Sequence, residues 1–115
     1  MNKLIEFLHD PEAKGLVLGN NGFRAVRISG GTVSIWYEGK ELCTITPCDV
    51  QHELWVKSCL DKEQCERMTD VFSLLGMPQL RLHYRARGAS IQRLHNGRIE
   101  TEMSIFDNTF LKVTV

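Results

Sequence analysis

The sequence predicts an α+β fold, two antiparallel β-meanders with a short N-terminal helix and one central amphipathic helix over about 61–75. Three observations carry this prediction. Turn-forming dipeptides punctuate runs of alternating apolar and polar residues both before residue 50 and after residue 78. Cys65, Met68, Val71, Phe72 and Leu75 recur at helical spacing between those two regions. A chain of 115 residues with 43% apolar and 24% charged side chains can bury a core without disulfides or metal.

Taken in order, Asn2 to His9 reads as a short helix with Asn2 as N-cap, Leu4, Ile5 and Leu8 on one face, and Pro11 beyond its end. Asn21-Gly22, Gly30-Gly31 and Gly39-Lys40 then mark the tight turns of a first meander of about four strands. A two-residue Gly30-Gly31 turn pairs Ile28 with Val33 and Val26 with Ile35, leaving Ala25 and Trp36 on the other face with Cys43 and Ile45. Something must cover that face, and Trp36 and Trp55 are expected to pack against the helices. Residues 50 to 57 read as a further strand.

The central helix has the clearest local signals. Asp61 stands at the N-cap, Gln64 at the capping-box position, and Gly76 and Pro78 close the element. The second meander is expected to hold strands near 80–87, 90–95, 98–106 and 110–115. Asn96-Gly97 predicts a type I′ turn that pairs His95 with Arg98 and Leu94 with Ile99. Three loop residues, Arg87 to Ala89, are expected at the earlier turn, and Asp107 to Thr109 at the later one. One face then collects Leu80, Leu82, Tyr84, Leu94, Ile99, Met103, Ile105, Leu111, Val113 and Val115 as core.

The chain reads as a single domain over 1–115, with a weak internal echo. Arg27, Gly30, Gly39 and Lys40 recur 58 residues later as Arg85, Gly88, Gly97 and Arg98, which fits a duplication of about 1–58 and 59–115.

Composition narrows the function classes. No apolar run is long enough to span a bilayer and the first ten residues carry acids, so the sequence points to a cytoplasmic protein with no membrane partner. Cys43, Cys48, Cys59 and Cys65 are then thiols. Their spacing lacks the close pairs of structural zinc sites, and no motif calls for a metal or another cofactor. Cys59, just ahead of a helix, is the one placed to be a reactive thiolate. No phosphate-binding loop, nucleophile elbow or dinucleotide fingerprint is present, so the expectation is not an enzyme. An acid–base site would have to join His83 or His95 to Glu100 or Glu102.

Arg81 to Arg98 is the feature that points to a function. It holds five arginines, two histidines and no acid in a chain of zero net charge. Residues 1–79 carry eight Lys and Arg against eleven Asp and Glu, whereas 80–115 carry six against three. Strand parity gathers Arg81, His83, Arg85, Arg87, Arg93, His95 and Arg98 on the outer face of the second sheet, with Phe106 and Phe110 at its edge. That face is the expected binding site of a small protein-protein interaction module of the accessory, adaptor or inhibitor kind. Its partner is an acidic protein surface or a second copy, giving a homodimer. The alternative is single-stranded nucleic acid on the same face, with phosphates on the arginines and bases on the rings. Glu100 and Glu102 on that face weigh against it.

Overall fold

A computed structural model describes residues 3–18, 22–28, 31–47, 51–57, 61–85, 88–105 and 109–114. It is α+β, with two helices and two antiparallel sheets. The chain divides into two compact units, residues 1–56 with 109–115, and residues 57–108.

The first unit begins with α1 (Lys3–His9), which buries Leu4, Phe7 and Leu8. The expected cap Asn2 lies outside the described residues. Six strands follow in one antiparallel sheet: β1 (Gly15–Leu18), β2 (Phe23–Arg27), β3 (Val33–Tyr37), β4 (Lys40–Thr46), β5 (Gln51–Val56) and, from the far end of the chain, β9 (Thr109–Thr114). Between β2 and β3, Arg27 pairs with Val33 and Ala25 with Ile35, one residue out of the expected register. Three residues therefore separate Ile28 from Thr32, whose carbonyl accepts the Ile28 N–H at 2.7 Å. Since side chains alternate with period two, this single step exchanges the faces. Phe23, Ala25, Val33, Ile35 and Tyr37 are buried, joined by Cys43, Ile45, Leu54 and Val56 of β4 and β5. Cys43 and Ile45 thus lie on the core side and not beside Trp36. Trp55 is 45% exposed, against the expectation that a helix covers it.

Arg27 locks this unit together. Its guanidinium donates to the carbonyls of Ala13 (2.8 Å), Gly31 (3.0 Å), Asp10 (3.1 Å) and Phe7, and lies 5.0 Å from the centre of the Phe7 ring. A cation placed on the last carbonyls of α1 satisfies groups that a helix end leaves unpaired.

In the second unit α2 (Lys62–Leu74) has the caps its sequence predicts. Asp61 Oδ1 accepts the Gln64 N–H at 2.8 Å, and Gln64 Oε1 accepts the Asp61 N–H at 2.9 Å. Gly76 adopts φ +82° at the other end, where Met77 N–H reaches back to the Phe72 carbonyl at 2.9 Å. Cys65, Met68, Val71, Phe72 and Leu75 are buried, as the apolar stripe requires. The helix lies along β6 (Leu80–Arg85), and Thr69 Oγ1 accepts the Leu82 N–H at 3.0 Å while donating to the Cys65 carbonyl at 3.0 Å. The hydroxyl thereby covers part of the free edge of β6.

Strands β6, β7 (Gly88–His95) and β8 (Arg98–Ile105) complete this unit. Arg85 pairs with Gly88, so two residues connect β6 to β7 where three were expected. The β7–β8 register agrees with the expectation, with His95 opposite Arg98 and Leu94 opposite Ile99. The expected fourth strand is absent from this sheet. It is β9, which leaves for the first sheet and pairs with β5, so no hairpin joins it to β8.

Two hairpins, one in each unit, share their geometry. The β3–β4 turn has positive φ at Glu38 (47°) and Gly39 (83°), and the β7–β8 turn at Asn96 (52°) and Gly97 (78°), which is 58 positions further on. Each hairpin also has a bulge at the matching place, between Ile35 and Trp36 and between Arg93 and Leu94.

Candidate interaction surface

The two-residue β6–β7 connection decides where the basic side chains go. Leu82 stands opposite Ile91 and His83 opposite Ser90, so Arg81, His83 and Arg85 share a face with Ser90, Gln92 and Glu102. Arg93 and His95, with Arg98 opposite His95, lie on the other face with Leu80, Leu82, Tyr84, Ile91, Thr101 and Met103. The single basic field expected from the sequence is therefore two groups on opposite faces. Arg87 and Phe106 lie outside the described residues, and Phe110 takes its place on β9 opposite Trp55, in the first unit. The acids anticipated beside the arginines also divide, since only Glu102 is paired into the first group.

The first group is neutralised internally. Glu102 accepts hydrogen bonds from Ser90 Oγ (2.6 Å), Gln92 Nε2 (2.8 Å) and the Arg85 guanidinium, and the Arg81 Nε donates to Gln92 Oε1 at 2.9 Å. Ser90 is fully buried and Gln92 is 2% exposed, so the network is anchored from within. Three hydrogen bonds to the ionised carboxylate, from Ser90, Gln92 and Arg85, pull the Glu102 pKa down to about 2. Such a network fixes strand register. It leaves Arg81 and Arg85 engaged with their own chain.

The second group has no such partners. Arg93, His95 and Arg98 are exposed, and none of their side chains has a hydrogen bond or ion pair among the described residues. On the same face Tyr84 is 44% exposed and Met103 47%, although both were expected in the core. Leu80 and Leu82 are buried as expected, Leu94 is half-buried and Ile99 is exposed. Every residue of β8 from Arg98 to Ser104 is exposed, a condition shared by no other strand whose side chains are described.

No family model, curated protein or solved structure matches the chain. The surface has to be read from its own chemistry.

Other features offer less. A groove of about 600 Å³ on the outer face of the first sheet is lined by Arg24, Val26, Ile28, Trp36, Glu38 and Glu41. A second, of about 720 Å³, lies between α2 and β6 and reaches Arg81, His83 and Tyr84. Among the described residues neither His83 nor His95 bonds a carboxylate, and no cluster of metal-binding side chains occurs. Burial pushes the Cys43 thiol up, and burial together with Asp61 and Glu66 raises Cys65 to about 11, which leaves both protonated at neutral pH. Cys48 and Cys59 lie outside the described residues. No described helix is long and apolar enough to cross a membrane.

Sequence reasoning missed Ser90, Gln92 and Glu102 as a unit, and Tyr84 and Met103 as surface residues. The first follows from one loop length, whereas Tyr84 and Met103 stay on the face of Leu80 and Leu82, as expected, and are exposed there. With Ala86 and Arg87 as the two connecting residues, strand alternation pairs His83 with Ser90 and carries Arg93 to the opposite face.

Proposed function

We propose that this chain is a small protein-protein interaction module that binds an acidic protein surface through the β8 side of its second sheet. The observation that carries the reading is the contrast between two sets of cations. Arg81 and Arg85 are bound to Gln92 and Glu102, whereas the side chains of Arg93, His95 and Arg98 have no partner among the described residues and share their face with exposed Met103, next along the sheet from Arg93, and with Tyr84 at the far edge. Unpaired cations next to an exposed methionine resemble interface hot spots, where a polarizable apolar anchor has charged neighbours.

A homodimer driven by charge has weaker support than the sequence halves implied. Divided by compact unit, the first carries six Lys and Arg against seven Asp and Glu, and the second eight against seven. Four of the eleven acids counted in the first 79 residues, Asp61, Glu63, Glu66 and Asp70, cap or lie in α2, in the same unit as the arginines.

Binding of a labelled oligoglutamate peptide tests the reading. Arg93→Glu with Arg98→Glu should weaken binding roughly tenfold or more, while Arg81→Ala should change it little. Equal affinity of all three proteins would overturn it. Tighter, steeply salt-dependent binding of a single-stranded oligonucleotide would favour the nucleic-acid alternative instead.

A further inference from the structure

We propose that the open edge of β8 accepts one added strand, an extended segment of a partner protein that carries acidic residues on the face of Arg93 and Arg98 and an apolar residue beside Met103. The inference rests on the acidic-partner reading above and specifies its mode and the class of segment recognised. It begins with the matching hairpins. In the first unit β4 is followed across the sheet by β5, with Thr44 opposite Trp55 and Thr46 opposite Glu53. The corresponding positions of β8, 58 residues on, are Glu102 and Ser104, and among the described residues no strand lies beyond them.

The backbone of β8 is oriented for such a partner. Residues flanking a two-residue turn, His95 and Arg98, bond each other, and in an antiparallel ladder inward and outward backbone groups alternate. Leu82 gives the same phase independently, since its N–H turns away from β7 to Thr69. Thr101 and Met103 therefore turn their N–H and C=O groups to β7, and Glu102 and Ser104 turn theirs outward. In β4 the equivalent outward groups, those of Thr44 and Thr46, are taken up by β5.

Charge selects the occupant. On the Met103 face the incoming strand meets Arg98 and, one strand further in, Arg93 and His95, with no acid paired to them among the described residues, which calls for acidic side chains there and an apolar one against Met103. A second copy of β8 is a poor match, because on the Arg93 face that strand carries Arg98, Thr101 and Met103, so self-pairing brings a further cation and no acid to the arginines. The bulge ahead of Thr101 likewise discourages self-pairing along the whole strand. Main-chain bonds would supply affinity and the alternate side chains specificity, as in other strand-addition complexes.

The test uses the full chain and a synthetic peptide, acetyl-Val-Thr-Val-Thr-Glu-Thr-Glu-amide. Run antiparallel to β8, it sets its second valine opposite Met103, its glutamates toward Arg93 and Arg98, and the N–H groups of its first two threonines toward Ser104 and Glu102. The parent peptide should bind, and N-methylation of those two threonines should weaken it roughly tenfold or more, a change that leaves the protein untouched. Ser104→Pro, which removes an outward N–H and no ladder bond, should produce a similar loss, with Ser104→Ala as the control. Equal binding of parent and N-methylated peptides, with both weakened by Arg93→Glu and Arg98→Glu, would overturn strand addition and leave the acidic-partner reading standing. No binding of the parent peptide, together with oligoglutamate binding that ignores the charge reversals, would overturn both.

Discussion

The β3–β4 and β7–β8 hairpins have the same two-residue turn with two positive-φ positions and a bulge at the matching place, yet they end differently. The first is extended by β5 and then by β9, and its β4 buries Leu42, Cys43 and Ile45. The second stops at β8, whose described residues from Arg98 to Ser104 are all exposed. One local geometry thus serves as the middle of a core in one unit and as a boundary in the other. What differs is the neighbouring strand, which is β5 beside β4 and is lacking beside β8 among the described residues.

The matched arginines offer the largest way to break the comparison. Arg27 donates to main-chain carbonyls of α1 and two loops, whereas its counterpart 58 residues on, Arg85, reaches an exposed carboxylate with its own side chain half in solvent. Arg27→Ala should destabilise the protein by about 3 kcal/mol, since it strands several carbonyls at once. Arg85→Ala should cost less than about 1 kcal/mol. Thermal or urea unfolding of both variants checks this, and similar losses would mean that the two arginines have the same role.

A smaller effect should sharpen the likeness instead. Gly39 and Gly97 have φ of +83° and +78°, and an added Cβ would meet nothing within 4 Å at either. Gly39→Ala and Gly97→Ala should therefore cost about 1 kcal/mol each, from the left-handed backbone alone. Unequal losses measured by urea unfolding would show that the turns are not equivalent.

Glu102, at the position matching Thr44, gives the smallest and most local effect. Its carboxyl is lowered from 4.5 to about 2 by Ser90, Gln92 and Arg85, so its contribution to stability is present above the ordinary carboxylate range and declines as pH falls toward 2. Carboxyl titration followed by NMR should place its midpoint near 2, and Gln92→Ala should move that midpoint upward. Glu102→Gln should flatten the acid limb of the stability profile between those values. A midpoint at 4.5 in the native protein would mean that the network is not formed.

The elements legible in the sequence were those written in local chemistry. Asp61, Gln64 and Gly76 specify both ends of α2 through bonds to near neighbours, and Asn96-Gly97 fixes the β7–β8 register because only two residues fit a type I′ turn. Gly30-Gly31 and Gly88 mark where the chain turns but not how many residues turn it. At Gly30-Gly31 one residue exchanged the faces of β2 relative to β3, and at Gly88 one residue divided a single basic field into two groups. The destination of β9 was less legible still. Its pairing with β5 spans more than fifty residues, and nothing in the local pattern around Phe110 tells one sheet edge from another. The candidate surface was half visible: Arg93, His95 and Arg98 were singled out, but their separation from Arg81 and Arg85 depends on the loop.

Amide hydrogen exchange at four positions tests the central claim most directly, that β8 presents an open edge where β4 has a neighbour. In the free protein Thr44 and Thr46 should be protected, their N–H groups bonded to β5, while Glu102 and Ser104 exchange rapidly. The strand-forming acidic peptide should then slow exchange at Glu102 and Ser104 without altering Thr44 and Thr46. Equal protection of all four amides in the free protein would contradict the account, because the β8 edge would already be filled.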